Sequence, residues 1–266
     1  MLLAIDVGNT NTVFAVFPDD ANGDGQAPLG EWRCNTEAVR TADQYYVWLS
    51  QLMEHSGLPI GDIRNVVVSN VAPAVLFNIR VFCDRYFNTR PLIVGRPECA
   101  LPVDVRVDIP SQVGADRLVN TVAAFERYGG DLIIVDFGTA TTFDVVDSDG
   151  AYIGGVIAPG VNLSLDALHQ AAAHLPRIDV TQPQQVLGQN TVACLQSGVY
   201  WGYVGLIEGI CARLSAERER PMKTIATGGL SPLFARGASV IEAVDPDLTV
   251  RGLVQIHRYN TKERME

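Results

Sequence analysis

The chain has 266 residues, 47% of them apolar and 19% charged, with a formal net charge of −10 and only two lysines, Lys223 and Lys262. That length suffices for two modest domains or one large one with a real core, and the acidic balance argues against a nucleic-acid partner. No run of 18 or more apolar residues is present, which argues against a membrane-spanning helix.

In chain order, Leu2–Val7 and Asn11–Phe17 are expected as strands joined by a tight turn, with a third at Gly30–Cys34 and an exposed loop over Pro18–Pro28. Helical spacing follows over Ala42–His55, then a buried strand at Asn65–Ser69, a helix at Ala74–Tyr86 and a strand at Pro91–Val94. Next come a helix at Ala115–Tyr128, strands at Leu132–Asp136, Thr141–Val146 and Tyr152–Ile157, and helices at Leu163–Ala173 and Thr191–Arg218. Strands at Thr224–Ala226 and Ser239–Glu242 and a helix from Leu248 to Tyr259 close the pattern, which is that of an α/β protein. The opening residues lack the basic and apolar regions of a secretory signal, and the five scattered cysteines form no C-x-x-C. Reduced thiols in a cytoplasmic location are therefore expected.

An internal repeat decides the domain organisation. The stretch Ile5–Phe14 (IDVGNTNTVF) recurs at an offset of 130 as Val135–Asp144 (VDFGTATTFD), each copy a strand ending in Asp, a Gly turn and a second strand. Two copies imply a duplicated domain with a cleft where the two turns face each other. The Pro- and charge-punctuated stretch from Gly95 to Val113 is the expected boundary, giving domains 1–113 and 114–266.

The turn Asp6-Val7-Gly8-Asn9-Thr10 has the parts of a nucleotide site. Gly8 lets backbone N–H groups approach phosphate oxygens, and Asn9, Thr10 and Thr12 add donors. Asp6 suits Mg²⁺ held through water, because that ion keeps most of its hydration shell. Asp136, at the end of the apolar run Leu132–Val135, calls for a hydrogen-bonded, cationic or metal partner. Ala226–Ser231 (ATGGLS) is a strand-to-helix turn whose paired glycines could pass a flat ligand such as adenine. Asp116 and Arg117 open a helix, where Asp is favoured by the dipole in any case; for a kinase they would also supply a base and an anion clamp. Plain hairpin and helix-start roles remain open for all of these residues. No G-x-x-x-x-G-K-[ST] occurs, which excludes a P-loop enzyme.

Five segments together resemble one family. DVGNTNTV (Asp6–Val13), GADR (Gly114–Arg117), DFGTATTF (Asp136–Phe143), GGVIAPG (Gly154–Gly160) and TVACLQSG (Thr191–Gly198) occur in the order found in type III pantothenate kinases. The resemblance implies two actin-like (ribonuclease H-like) domains with a nucleotide cleft between them, and ATP-dependent phosphorylation of pantothenate, the first step of coenzyme A synthesis. It also implies a divalent ion such as Mg²⁺, a monovalent cation (K⁺ or NH₄⁺) and a homodimer. By position, it assigns Asp6, Val7, Gly8, Asn9, Thr10, Asn11, Thr12 and Val13 to ATP and Mg²⁺. Asp116 becomes the general base, Gly114, Ala115, Asp116, Arg117 and Thr191 hold pantothenate, Thr139 contacts ATP, and Asp136 binds the monovalent cation. Val107 departs from the family, many members of which carry an aromatic substrate contact seven positions before the GADR glycine. A kinase of the same superfamily acting on another alcohol or carboxylate, or a regulatory homologue without catalysis, stays open.

Overall fold

The computed structural model describes residues 1–19, 27–172 and 174–263; most of the loop expected at Pro18–Pro28, and Ala173 at the end of one expected helix, lie outside them. The first sheet comprises β1 (Leu2–Val7), β2 (Asn11–Phe17), β3 (Gly30–Asn35), β4 (Asn65–Asn70) and β5 (Leu92–Ile93), in the order β3-β2-β1-β4-β5. The second comprises β6 (Leu132–Phe137), β7 (Ala140–Val146), β8 (Tyr152–Pro159), β9 (Lys223–Gly228) and β10 (Ile241–Val244), in the order β10-β9-β6-β7-β8. Each begins with an antiparallel hairpin and continues through parallel pairings. The duplication expected from two short turns therefore extends to two whole sheets of the same topology.

The offset within the repeat is not constant. Val7 pairs with Thr12, whereas Phe137 pairs with Thr141, and Gly8 N–H donates to Asn11 O where Gly138 N–H donates to Ala140 O. The second turn is thus one residue shorter. Asp6 and Asp136 are 130 apart, but the structural counterpart of Thr12 is Thr141, 129 away, and not Thr142. Side chains alternate across a strand, so a one-residue slip would turn every inward group outward. Thr12 and Thr141 are both fully buried, and so are Phe14 and Phe143.

Alternation along β1 also sets the layers. Leu3, Ile5 and Val7 point into a core built with α1 (Ala42–His55) and α2 (Pro73–Phe87). Leu2 and Ala4 point the other way, against α3 (Ala115–Tyr128) and α7 (Leu248–Glu263). Covered on both sides, β1 reads as a nearly continuous apolar run. In the second sheet Ile133, Val135 and Phe137 pack against α5 (Thr191–Glu217) and α6 (Ser231–Phe234), and α4 (Val161–Ala171) follows β8. The helix starts follow local chemistry: Thr41 and Gln44 form a capping box on α1, and the Asn190 side chain accepts from Ala193 N–H on α5.

The compact units are Met1–Arg127 with Asp247–Glu266, and Tyr128–Pro246. This differs from the division expected at 113/114, because the amphipathic α3 and α7 close the first sheet with Ala115, Val119, Val122, Val250, Leu253 and Val254. The stretch after Gly95 is not a linker. Cys99 joins that core, and the Asn260 amide of α7 bonds both the N–H and the C=O of Ala100, at 2.8 and 2.9 Å. On α5 a buried stripe (Tyr200, Val204, Ile207, Cys211) faces the core, while nothing lies within 4 Å of where a Cβ would sit on Gly198, Gly202 or Gly205. Among the described residues no helix is long and apolar enough to cross a membrane.

Candidate active site

In the first unit the turn after β1 is built from the backbone. Gly8 N–H donates to Asn11 O at 3.0 Å, and a Cβ on Gly8 would press on that same oxygen. Thr36 braces the turn from beyond β3: its N–H reaches Thr10 O at 2.9 Å and its hydroxyl donates to Gly8 O at 2.8 Å. The Thr12 hydroxyl lies 2.8 Å from that of Thr36 and is fully buried. Thr12 therefore stiffens the turn and does not present a free donor as expected, whereas Asn9, Thr10 and Asn11 are exposed on its outer side. Val7 is buried in the core and Val13 half-buried on β2.

Asp6 is the last even-numbered residue of β1, so it continues the face of Leu2 and Ala4 to the carboxyl end of the strand. Its Oδ1 is sealed from solvent with no hydrogen-bond partner among the described residues. Burial, and then the nearby Asp116 charge, push its carboxyl up from 3.8 to about 7, while Ser69 and Arg33 pull the other way. Ser69 on β4 is the register partner of Asp6.

Asp116 reaches the same neighbourhood from the first turn of α3. Its Oδ1 accepts from Arg117 N–H at 2.8 Å, and a Cβ on Gly114 would come within 2.5 Å of that oxygen. Gly114 thus leaves room for the carboxylate to fold back over the helix start. Burial raises the Asp116 carboxyl above its ordinary value, against the pull of the Arg117 N–H and guanidinium. The dipole role considered from sequence is real but partial: the side chain is also half of a half-buried carboxylate pair. Ala115 is buried beneath it, and Val107 is half-buried in the loop before α3.

In the second unit Asp136 ends β6 as Asp6 ends β1, and its register partner on β9 is the buried Thr227. Gly228 has φ +86°, and a Cβ there would lie 2.7 Å from both Asp136 Oδ1 and Phe137 O. Its bareness serves the Asp136 carboxylate, whereas Gly229 has open space around it. Gly160, ahead of α4, sits so close to the turn that a Cβ would collide with Thr139 O. Thr139 is exposed on this turn. Thr191, the first residue of α5, lines a largely apolar groove with Leu168, Leu195, Val199, Tyr203 and Leu206.

Geometry therefore joins Asp6 with Asp116 in one unit and Asp136 with Gly228 in the other. Sequence reading did not single out Ser69 or Thr36, and it took in Gly160 only as the last residue of GGVIAPG. Ser69 does carry a signal, a polar residue ending the apolar run Val66–Val68, but Thr36 acts through pairing across strands that no local pattern reports.

The family model for type III pantothenate kinases matches residues 2–213. Type III pantothenate kinases from Dinoroseobacter shibae and Ruegeria sp. are 64% and 63% identical over 260 residues, spanning 98% of this chain and 99% and 97% of theirs. Among solved structures, a protein described as a Baf family transcriptional activator from Campylobacter jejuni has a TM-score of 0.58 at 20% identity, covering 98% of this chain and 99% of its own. One described as a 2-dehydro-3-deoxygalactonokinase from Sinorhizobium meliloti has a TM-score of 0.57 at 14% identity, covering 97% and 96%. At such identities the likeness is one of fold, the duplicated actin-like α/β architecture seen here as two sheets of one topology. The extent and identity of the sequence matches establish that this chain belongs to the type III pantothenate kinase family.

Proposed function

We infer that the chain transfers the γ-phosphoryl group of ATP to the primary hydroxyl of pantothenate, giving 4'-phosphopantothenate for coenzyme A synthesis. The observation that carries the reading is the half-buried pair Asp6 and Asp116, held beside a backbone-braced glycine turn at the carboxyl end of β1. Carboxylates withdrawn from water are costly to ionise, and more so beside each other. A fold that keeps two of them together uses them for chemistry.

In this reading Asp116 accepts the proton of the attacking hydroxyl. Burial raises its carboxyl above the ordinary value, which makes it a stronger base than a free aspartate. Arg117, Gly114 and Ala115 orient the acceptor, and Thr191 contacts it from α5. The exposed backbone of residues 8–11, with Val7 and Val13 behind it, receives the phosphates, and Thr139 contributes from the second turn. Asp6 fits a hydrated divalent ion: Oδ1 has no partner among the described residues, and no cluster of three acidic, His or Cys side chains forms there to strip the ion of water. Bound Mg²⁺ neutralises charge on the transferring phosphoryl group. At Asp136, the space that a Cβ on Gly228 would fill is lined by a carboxylate oxygen and the Phe137 carbonyl, hard donors suited to K⁺ or NH₄⁺. The open glycine face of α5 and the groove beside it support a homodimer through that helix; the five scattered cysteines without a C-x-x-C support a cytoplasmic enzyme, and the acidic balance argues against a nucleic-acid partner.

The test is direct. Purified protein with ATP, Mg²⁺, K⁺ and pantothenate should yield phosphopantothenate by mass spectrometry, with near-background turnover when K⁺ is replaced by Na⁺ or Tris. No product with pantothenate, and product with another small alcohol, would replace the substrate but keep the kinase. Equal rates in all three buffers would remove the monovalent cation from Asp136.

A further inference from the structure

Two sealed polar atoms face each other at the end of the first sheet. Asp6 Oδ1 and Ser69 Oγ are both buried, and among the described residues neither has a hydrogen-bond partner within the geometric limits of a good bond. Parallel register places Asp6 of β1 opposite Ser69 of β4, so their side chains share one face. Ser69 is 0% exposed, and the residues leading to it on β4 are Val66, Val67 and Val68. A buried hydroxyl that satisfies nothing weakens a fold, and alanine or valine would fill the position without that cost. The strand end is also pinned, because Val71 N–H donates to Val7 O at 3.0 Å and Val71 lies against the Gly114 turn that makes room for Asp116. The second unit repeats the device, with Thr227, also buried, opposite Asp136 after the apolar Ile225 and Ala226.

We propose that Ser69 is a positioning residue for the Asp6 carboxylate, donating its O–H to one oxygen so that the other is presented to the hydration shell of a divalent cation. The proposal rests on the reading of Asp6 given above. Ser69 itself touches neither phosphate nor acceptor. It fixes the rotation of the carboxylate, as the hydrogen-bonding partners behind metal-bound groups do elsewhere.

The experiment titrates Mn²⁺ into the protein alone, without nucleotide or pantothenate, and follows the free ion by electron paramagnetic resonance. Wild type should bind one Mn²⁺ that Asp6→Asn abolishes. Ser69→Ala should weaken that binding about 10–100-fold, the usual effect of removing such a partner, while its melting temperature in EDTA equals or exceeds that of wild type. Ser69→Thr, which copies the second unit, should restore the affinity. In turnover, the Mg²⁺ concentration giving half-maximal rate should rise in Ser69→Ala, with the KM for pantothenate unchanged. Wild-type Mn²⁺ affinity in Ser69→Ala, a threonine variant as weak as alanine, or a loss of affinity that merely tracks a lowered melting temperature overturns the proposal. Absence of any Asp6-dependent Mn²⁺ binding in wild type overturns the divalent-ion reading itself, and this proposal with it.

Discussion

Replacing Asp6 by asparagine should strengthen the fold at neutral pH while abolishing phosphoryl transfer. In the folded chain burial, and then the Asp116 charge, raise this carboxyl from 3.8 to about 7. The native state therefore holds the Asp6 proton more tightly than the unfolded chain does. The resulting stability is fully present below about pH 4, drains as pH rises, and is gone once pH passes about 7. A displacement of roughly 3 pH units corresponds to at most about 4 kcal/mol, at about 1.4 kcal/mol per unit. Asparagine has no such titration. Urea unfolding of both proteins from pH 4.5 to 8.5, in EDTA and without nucleotide, measures the effect. The variant should gain on wild type from pH 4.5 to about 7 and hold a constant lead from there to 8.5, ending ahead by on the order of 2–4 kcal/mol. A difference that stays constant with pH, or a variant less stable than wild type at pH 8, would refute the argument that this carboxylate is held uncompensated.

Asp116→Asn should lower kcat by about 10²–10⁴-fold, toward the low end for a loose phosphoryl-transfer transition state, with the KM for ATP nearly unchanged; wild-type kcat with a lowered melting temperature would leave Asp116 as a helix-start residue only. Gly228→Ala should destabilise by about 1–3 kcal/mol in urea, because φ is +86° and the new Cβ would press on Asp136 Oδ1 and Phe137 O; an unchanged midpoint contradicts this. A Cβ on Gly205 would have no atom of the described residues beyond its own helix backbone within 4 Å, so Gly205→Leu should leave the protomer folded but abolish the dimer on size exclusion. A normal dimer would move the interface away from α5.

Much of this architecture is legible in the residues because local chemistry and tertiary demand agree. The capping box at Thr41 and the apolar spacing of Tyr45, Leu49 and Met53 specify α1 without help from the rest of the chain. Likewise, Ile5-Asp6-Val7-Gly8 and Val135-Asp136-Phe137-Gly138 advertise their duplication because an aspartate at the end of an apolar strand is expensive and conspicuous. Three things were hidden. The one-residue slip in the second hairpin lies within a turn, where Thr141 and Thr142 look alike in sequence and only pairing decides which faces inward. The coupling of Asp6 to Asp116 joins residues 110 positions apart through a helix packed on a sheet, and no periodicity encodes it. The compact units divide elsewhere than at 113/114 because proline and charge between residues 95 and 113 mimic a linker, although Cys99 and Ala100 are bound to α7.

That last feature bears on synthesis. The second unit is an insertion within the first, whose closing helix starts at Leu248. A nascent chain leaving the ribosome can complete residues 128–246 as a contiguous body, but the older segment must wait. Until α7 emerges, Leu2, Ala4, Phe17 and Val67 lack the cover of Val250, Leu253, Val254 and Ile256, and an apolar sheet face remains open to other nascent chains. The strand Leu2–Val7 is thus among the last to be covered although it precedes α7 by some 240 residues, so ribosome stalling anywhere before Leu248 leaves the strand that bears Asp6 exposed.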